Sequence, residues 1–132
     1  MPRLPALLPL ALAATLGCGA TILPGEEIEF ELDVGESARL EDLGVAVRFV
    51  RVSADSRCPI DVTCAWQGDG AVVLRLTRAD DESDTTLHTG LEPRSVTSQG
   101  ITLEVVGLSP APQSTRPIDP DAYRVQLRAR GS

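Results

Sequence analysis

Three cysteines, one histidine and one tryptophan carry most of the chemistry open to this 132-residue chain, and two of the cysteines are Cys58 and Cys64. Thiols at that spacing offer a disulfide, a redox or metal site shared with His88, or two free thiols. An extended strand would hold the two Cα atoms about 20 Å apart. A helix would separate them by about 9 Å along its axis. A disulfide needs them within about 7 Å. A bridge and a regular element therefore exclude each other here, although Ile60, Val62, Cys64 and Trp66 alternate with polar residues in the period of a half-buried strand. Zinc favours closer cysteine pairs and a second pair of ligands, and one histidine does not supply them. The segment reads as a disulfide-closed loop with a single 3₁₀-like turn after Pro59. Such a closure is worth about 2 kcal/mol in the chain-entropy picture. Trp66 follows Cys64 by two residues, so on an extended exit strand both point the same way. The expectation is that Trp66 packs over the bridge as a core plug.

Other constellations are sparse. Ser56 and Ser109 have no histidine close in sequence, and His88 alone would have to serve any triad. There is no phosphate-binding glycine loop and no H-E-x-x-H. The carboxylates of Asp80–Asp84 lack the glycine and final glutamate of an EF-hand loop and read as a solvated hairpin tip. No enzyme activity, metal or cofactor is expected. A net charge of −7 argues against nucleic acid, whose phosphates need a basic footprint.

The run Asp55-Ser56-Arg57-Cys58-Pro59-Ile60-Asp61-Val62-Thr63-Cys64-Ala65-Trp66-Gln67-Gly68 resembles a signature of small, uncharacterised secreted or lipid-anchored bacterial proteins. Their shared stretch has the form D-S-R-C-P-x-x-V-x-C-x-W-x-G. A later L-S-P-x-P…I-x-P-x-x-Y segment is also similar, here Leu108–Pro112 and Ile118–Tyr123. The resemblance spans about Leu40 to Ala129. It implies an extracytoplasmic β fold and brings no activity with it.

Residues 1–17 read as a lipoprotein-type export signal, with Arg3 ahead of an apolar run from Leu4 to Leu16. Thr15-Leu16-Gly17-Cys18 is similar to a lipobox whose cysteine is acylated, apart from leucine at −2 and threonine at −3. Plain secretory cleavage, for instance after Ala13, is the alternative. Cysteine parity favours lipidation of Cys18, which leaves an even pair in an oxidising compartment. The mature chain would carry 11 arginines against 19 acids, a net −8. It would be repelled by anionic head groups and stand off the membrane on a tether of residues 18–25.

Residues 26–130 form one domain. Ile28, Phe30, Leu32 and Val34 alternate with acids, and Tyr123, Val125, Leu127 and Ala129 alternate with Arg124, Gln126, Arg128 and Arg130. Opposite charges on those two strands predict that they lie side by side. A switch of phase after Phe49 predicts a β-bulge near Val50-Arg51. Further strands fall near Ser37–Leu40, Val72–Leu76, Thr85–Thr89, Arg94–Thr97 and Ile101–Leu108. Prolines 110, 112, 117 and 120 keep residues 109–122 irregular. Seven or eight short antiparallel strands predict a single β-sandwich, immunoglobulin-like in architecture.

The function expected is a non-catalytic, lipid-anchored module of the bacterial cell envelope with a structural or protein-interaction role. Its partners are the membrane, through Cys18, and an envelope protein. The candidate interaction residues are Arg57, Pro59, Asp61, Trp66 and Gln67, with the 109–122 connection as a second surface. A protease-inhibitor-like loop and a redox or metal-handling protein using Cys58, Cys64 and His88 are the alternatives.

Overall fold

The computed structural model describes residues 27–132. The expected export signal, Cys18 and the expected tether lie outside the described residues. Eight strands follow in order: β1 (Glu27–Asp33), β2 (Ser37–Leu40), β3 (Val45–Asp55), β4 (Gly70–Arg78), β5 (Asp81–His88), β6 (Ser95–Ser98), β7 (Ile101–Ser109) and β8 (Arg124–Gly131). They form two four-stranded antiparallel sheets, ordered β1-β8-β7-β6 and β2-β3-β4-β5. The result is the expected β-sandwich with a disulfide-closed loop. It shares the two-sheet build of immunoglobulin domains, but within each sheet consecutive strands pair as a meander, and only β1 leaves sequence order to join β8.

Period-2 burial explains the core. Phe49, Leu74, Leu76, Leu87, Leu103, Val125 and Leu127 are fully enclosed between the sheets. On the outer face of the first sheet, β1 and β8 pair as their charges require, with Glu29 opposite Arg128 and Glu27 opposite Arg130. Arg128 Nη2 lies 2.7 Å from Glu29 Oε1, and Arg124 Nε lies 2.8 Å from Glu31 Oε2. Strand β3 shifts register between Phe49 and Arg51, the bulge that its change of phase predicts. Two further shifts, between Val52 and Ala54 and between Val105 and Gly107, carry no comparable signal in sequence.

The acidic run differs from expectation. β5 begins at Asp81, so the turn shrinks to Ala79-Asp80, and Glu82 and Asp84 sit within the strand. Cross-strand attraction accounts for this, since Arg75 on β4 lies 2.7 Å from Asp84 Oδ1 and 3.0 Å from Glu82 Oε1.

Register defines two ends. The end where β1 begins holds the 3₁₀ turn Glu41–Leu43, the Ala79-Asp80 turn and the Gln99-Gly100 turn. There Arg78 donates from Nε to Gln99 O and from Nη2 to Leu43 O, both at 2.7 Å. The other end lies about 24 Å away, the length of β8 at strand rise. It gathers the three longest connections, residues 56–69, 89–94 and 110–123.

Candidate functional site

The bridge loop forms at this far end. Cys58 and Cys64 are joined, with Cα atoms 5.9 Å apart. Val62 N donates to Pro59 O at 3.3 Å, which closes the turn expected after Pro59. Because the bridge forces the chain to fold back, Ile60 and Val62 lose the strand pattern that their spacing imitates, and both are exposed.

Trp66 corrects the sequence reading. It is 84% exposed and plugs nothing. A face shared with Cys64 requires an extended strand from Cys64 onward, but residues 65 and 66 are bends and β4 starts only at Gly70. The reversal at Gly68-Asp69 explains the delay. Gly68 has φ +74°, and a Cβ there would meet Ser56 O at 1.9 Å, so only glycine fits.

Arg57 also departs from expectation, since it belongs to the framework rather than to a contact surface. Its side chain is 13% exposed and every nitrogen is engaged. Nε and Nη2 donate to Asp55 Oδ1 and Oδ2, each at 2.8 Å. Nη1 donates to Leu108 O at 2.7 Å and Nη2 also to Pro110 O at 2.9 Å. Tyr123 donates its hydroxyl to Asp55 Oδ2 at 2.8 Å. This cluster ties β3 of one sheet to β7 and the start of β8 in the other. Burial pushes the Asp55 carboxyl up, but the Arg57 guanidinium and Tyr123 hydroxyl outweigh it and hold it below its ordinary value. Burial and the neighbouring carboxylate push the Tyr123 phenol up.

A second cluster surrounds Asp69, which sequence reasoning passed over as a turn residue. Asp69 is the one polar side chain among the buried described residues. Its Oδ1 accepts from Gly90 N at 2.9 Å and Leu91 N at 3.1 Å, and its Oδ2 lies 2.6 Å from His88 Nδ1. Burial raises this carboxyl, and the imidazole with the two amides more than reverses the effect. His88 therefore serves to fix a loop carboxylate. Among the described residues, no group of three or more His, Cys, Asp or Glu side chains is placed to hold a metal ion. The only signal in sequence was a lone aspartate between two glycines, which reads equally as a plain turn.

These clusters fix the loops to one another. Ser56 N donates to Asp69 O at 2.7 Å and Cys58 N to Gln67 O at 3.0 Å, which closes the base of the bridge loop. Ile60 N donates to Pro112 O at 2.9 Å, and Asp61 accepts from both the backbone amide and the hydroxyl of Ser114. The exposed Asp61 thus faces the proline-rich connection, Pro59 is half-buried in the turn, and Gln67 is exposed beside Trp66.

The uncovered surface includes a group of large apolar side chains. Ile60, Val62, Trp66 and Leu91 are exposed at this end, and only Val106 among the other large apolar residues described shares that property. Two clefts flank the Gln67-Gly68 backbone. One of about 280 Å³ is lined by Cys58, Leu108, Ala111 and Pro112, and one of about 350 Å³ by Ser56, Trp66, Gly90 and Leu91. Compared with models of protein families, with curated proteins and with solved structures, the chain matches none.

Proposed function

We propose that this protein is a non-catalytic, lipid-anchored module of the bacterial cell envelope that docks a partner protein through the Trp66 end of its sandwich. The observation that carries the reading is an 84%-exposed tryptophan on a loop held by a disulfide and by hydrogen bonds to two other loops. Exposed tryptophan is costly in water and is the residue that most often anchors an interface. A loop already fixed loses little entropy when it binds. Leu91 stands beside it because Asp69 holds the Gly90 and Leu91 amides. An anchor on Cys18 would enter at the opposite end, through β1, and would point Trp66 away from the membrane. A photo-crosslinking side chain at position 66, in cells that carry the protein in their envelope, is expected to yield one dominant adduct. The same side chain at Arg39 should not give it. Equal labelling from both positions would count against the reading.

A second reading rests on the same loop. A rigid, disulfide-closed segment with an exposed aromatic two residues beyond the bridge has the form of a protease-inhibitor loop. Chymotrypsin-like enzymes that cleave after aromatic residues are the test panel. Slow or absent cleavage of the 64–68 segment together with inhibition would favour this reading, and rapid cleavage would remove it.

A further inference from the structure

The outer face of the second sheet carries an arrangement that the docking end does not explain. Cross-strand register places Arg39, Ala46, Thr77 and Glu82 in one row, and Ser37, Arg48, Arg75 and Asp84 in the next. A third row holds Arg51, Val73 and Thr86. Arg48 and Arg75 thus lie directly opposite each other, a like-charge pairing that sheets normally avoid. The bulge at Val50 adds to it. Strict alternation from Arg48 would send Arg51 into the core, and the extra residue turns it outward instead, beside the other two. Val73, on the same face, is 95% covered although it points away from the core. Arginine stems lying across the sheet provide such cover.

Carboxylates outnumber arginines in this chain by 19 to 12, and among the described residues Arg39, Arg57, Arg75, Arg124, Arg128 and Arg130 each have a carboxylate within 4.0 Å. Arg75 is held by Glu82 and Asp84, Arg39 by Glu41, and Arg124, Arg128 and Arg130 by acids of β1. Arg48 and Arg51 are both exposed and have no carboxylate within 4.0 Å among the described residues. The nearest turn does not supply one, because Glu36 directs Oε1 at Asp33 N. Arg94 and Arg116 are also free of ion pairs, but they stand on separate loops. Arg48 and Arg51 are the adjacent pair.

We propose that this face is a binding site for a phosphate monoester group of a soluble ligand, seated between Arg48 and Arg51 with Arg75 flanking it. Two guanidinium groups without a direct ion pair, of which Arg51 feels Asp84 only at longer range, suit the charge of about −1.5 to −2 on such a group at neutral pH. Planar guanidinium forks suit its oxygens. Asp84, already bound to Arg75, limits the site to a compact anion. The strongly acidic domain as a whole disfavours polyanions and anionic bilayers.

The test is a titration of the folded protein with inorganic phosphate and with phosphoserine at low ionic strength, followed by NMR at the arginine Nε–Hε resonances. Saturable shifts are expected at Arg48, Arg51 and Arg75. Arg48→Gln and Arg51→Gln should each weaken binding about tenfold, and Arg94→Gln should leave it unchanged. Arg48→Gln should melt no lower than the parent, since Arg48 faces a like charge. Absence of saturation, equal loss in Arg94→Gln, or binding to phosphatidylglycerol vesicles without binding to phosphate would each overturn the proposal.

Discussion

Each end of the sandwich is closed by an arginine that reaches carbonyl oxygens across loops, and the two differ in what else they hold. Arg78 bonds Gln99 O and Leu43 O between short turns, with no carboxylate in the cluster. Arg57 bonds Leu108 O and Pro110 O but also chelates the half-buried Asp55, which takes a further hydrogen bond from Tyr123. The first device needs only to close short hairpins. The second fixes long connections, which have fewer backbone hydrogen bonds of their own to hold them. The lesson is that the polar clusters at the far end hold long loops whose apolar side chains stay exposed.

Breaking the two staples should separate the ends. Arg57→Met leaves the Asp55 charge buried without its partner and is expected to cost about 3–5 kcal/mol in denaturant unfolding. Arg78→Met leaves carbonyls short of a donor but orphans no charge, and should cost about 1–3 kcal/mol. Equal losses would mean that the ends are built alike. Replacing Cys58 and Cys64 together by serine should cost about 2 kcal/mol.

Acid offers a subtler comparison. Asp55 and Asp69 both have carboxyls held below the ordinary 3.8. A depressed folded value contributes stability that is complete above the unfolded value and is lost as pH falls through the folded one. Stability should therefore decline as pH drops below about 4, and less steeply in Asp69→Asn, whose loop no longer depends on that charge. Melting temperature against pH would show it. A parallel decline in the variant would place the acid sensitivity elsewhere. The smallest effect belongs to Trp66→Ala, which should change stability by less than about 0.5 kcal/mol, whereas Phe49→Ala in the core should cost about 3–5 kcal/mol.

Much of the framework is legible in sequence because it obeys period 2. The alternation of β1 and β8 gives their inward residues, their complementary charges give the pairing, and the switch after Phe49 gives the bulge. The bridge is the favoured reading of the cysteine spacing and parity, which leave a metal or redox site and free thiols open, and the structure shows it formed. The far end is harder to read because its logic is long-range. Nothing near Asp69 in sequence announces that it will cap the amides of Gly90 and Leu91. Arg57 reads as an exposed loop cation until Leu108, Pro110 and Tyr123 are brought beside it. Trp66 misleads for a local reason, since two-residue spacing from Cys64 implies a shared face only where the chain is extended.

The central claim is that the far end holds Trp66 in water on a fixed loop, and the chain contains no second tryptophan to confuse the signal. Acrylamide quenching of the folded protein, read with the emission maximum and the anisotropy decay, tests it most directly. Emission is expected to be nearly as red, and quenching nearly as efficient, as in the unfolded chain, with the indole turning no faster than the whole domain. Blue-shifted, protected emission would place Trp66 in a core. Fast local motion would mean that the loop is not held.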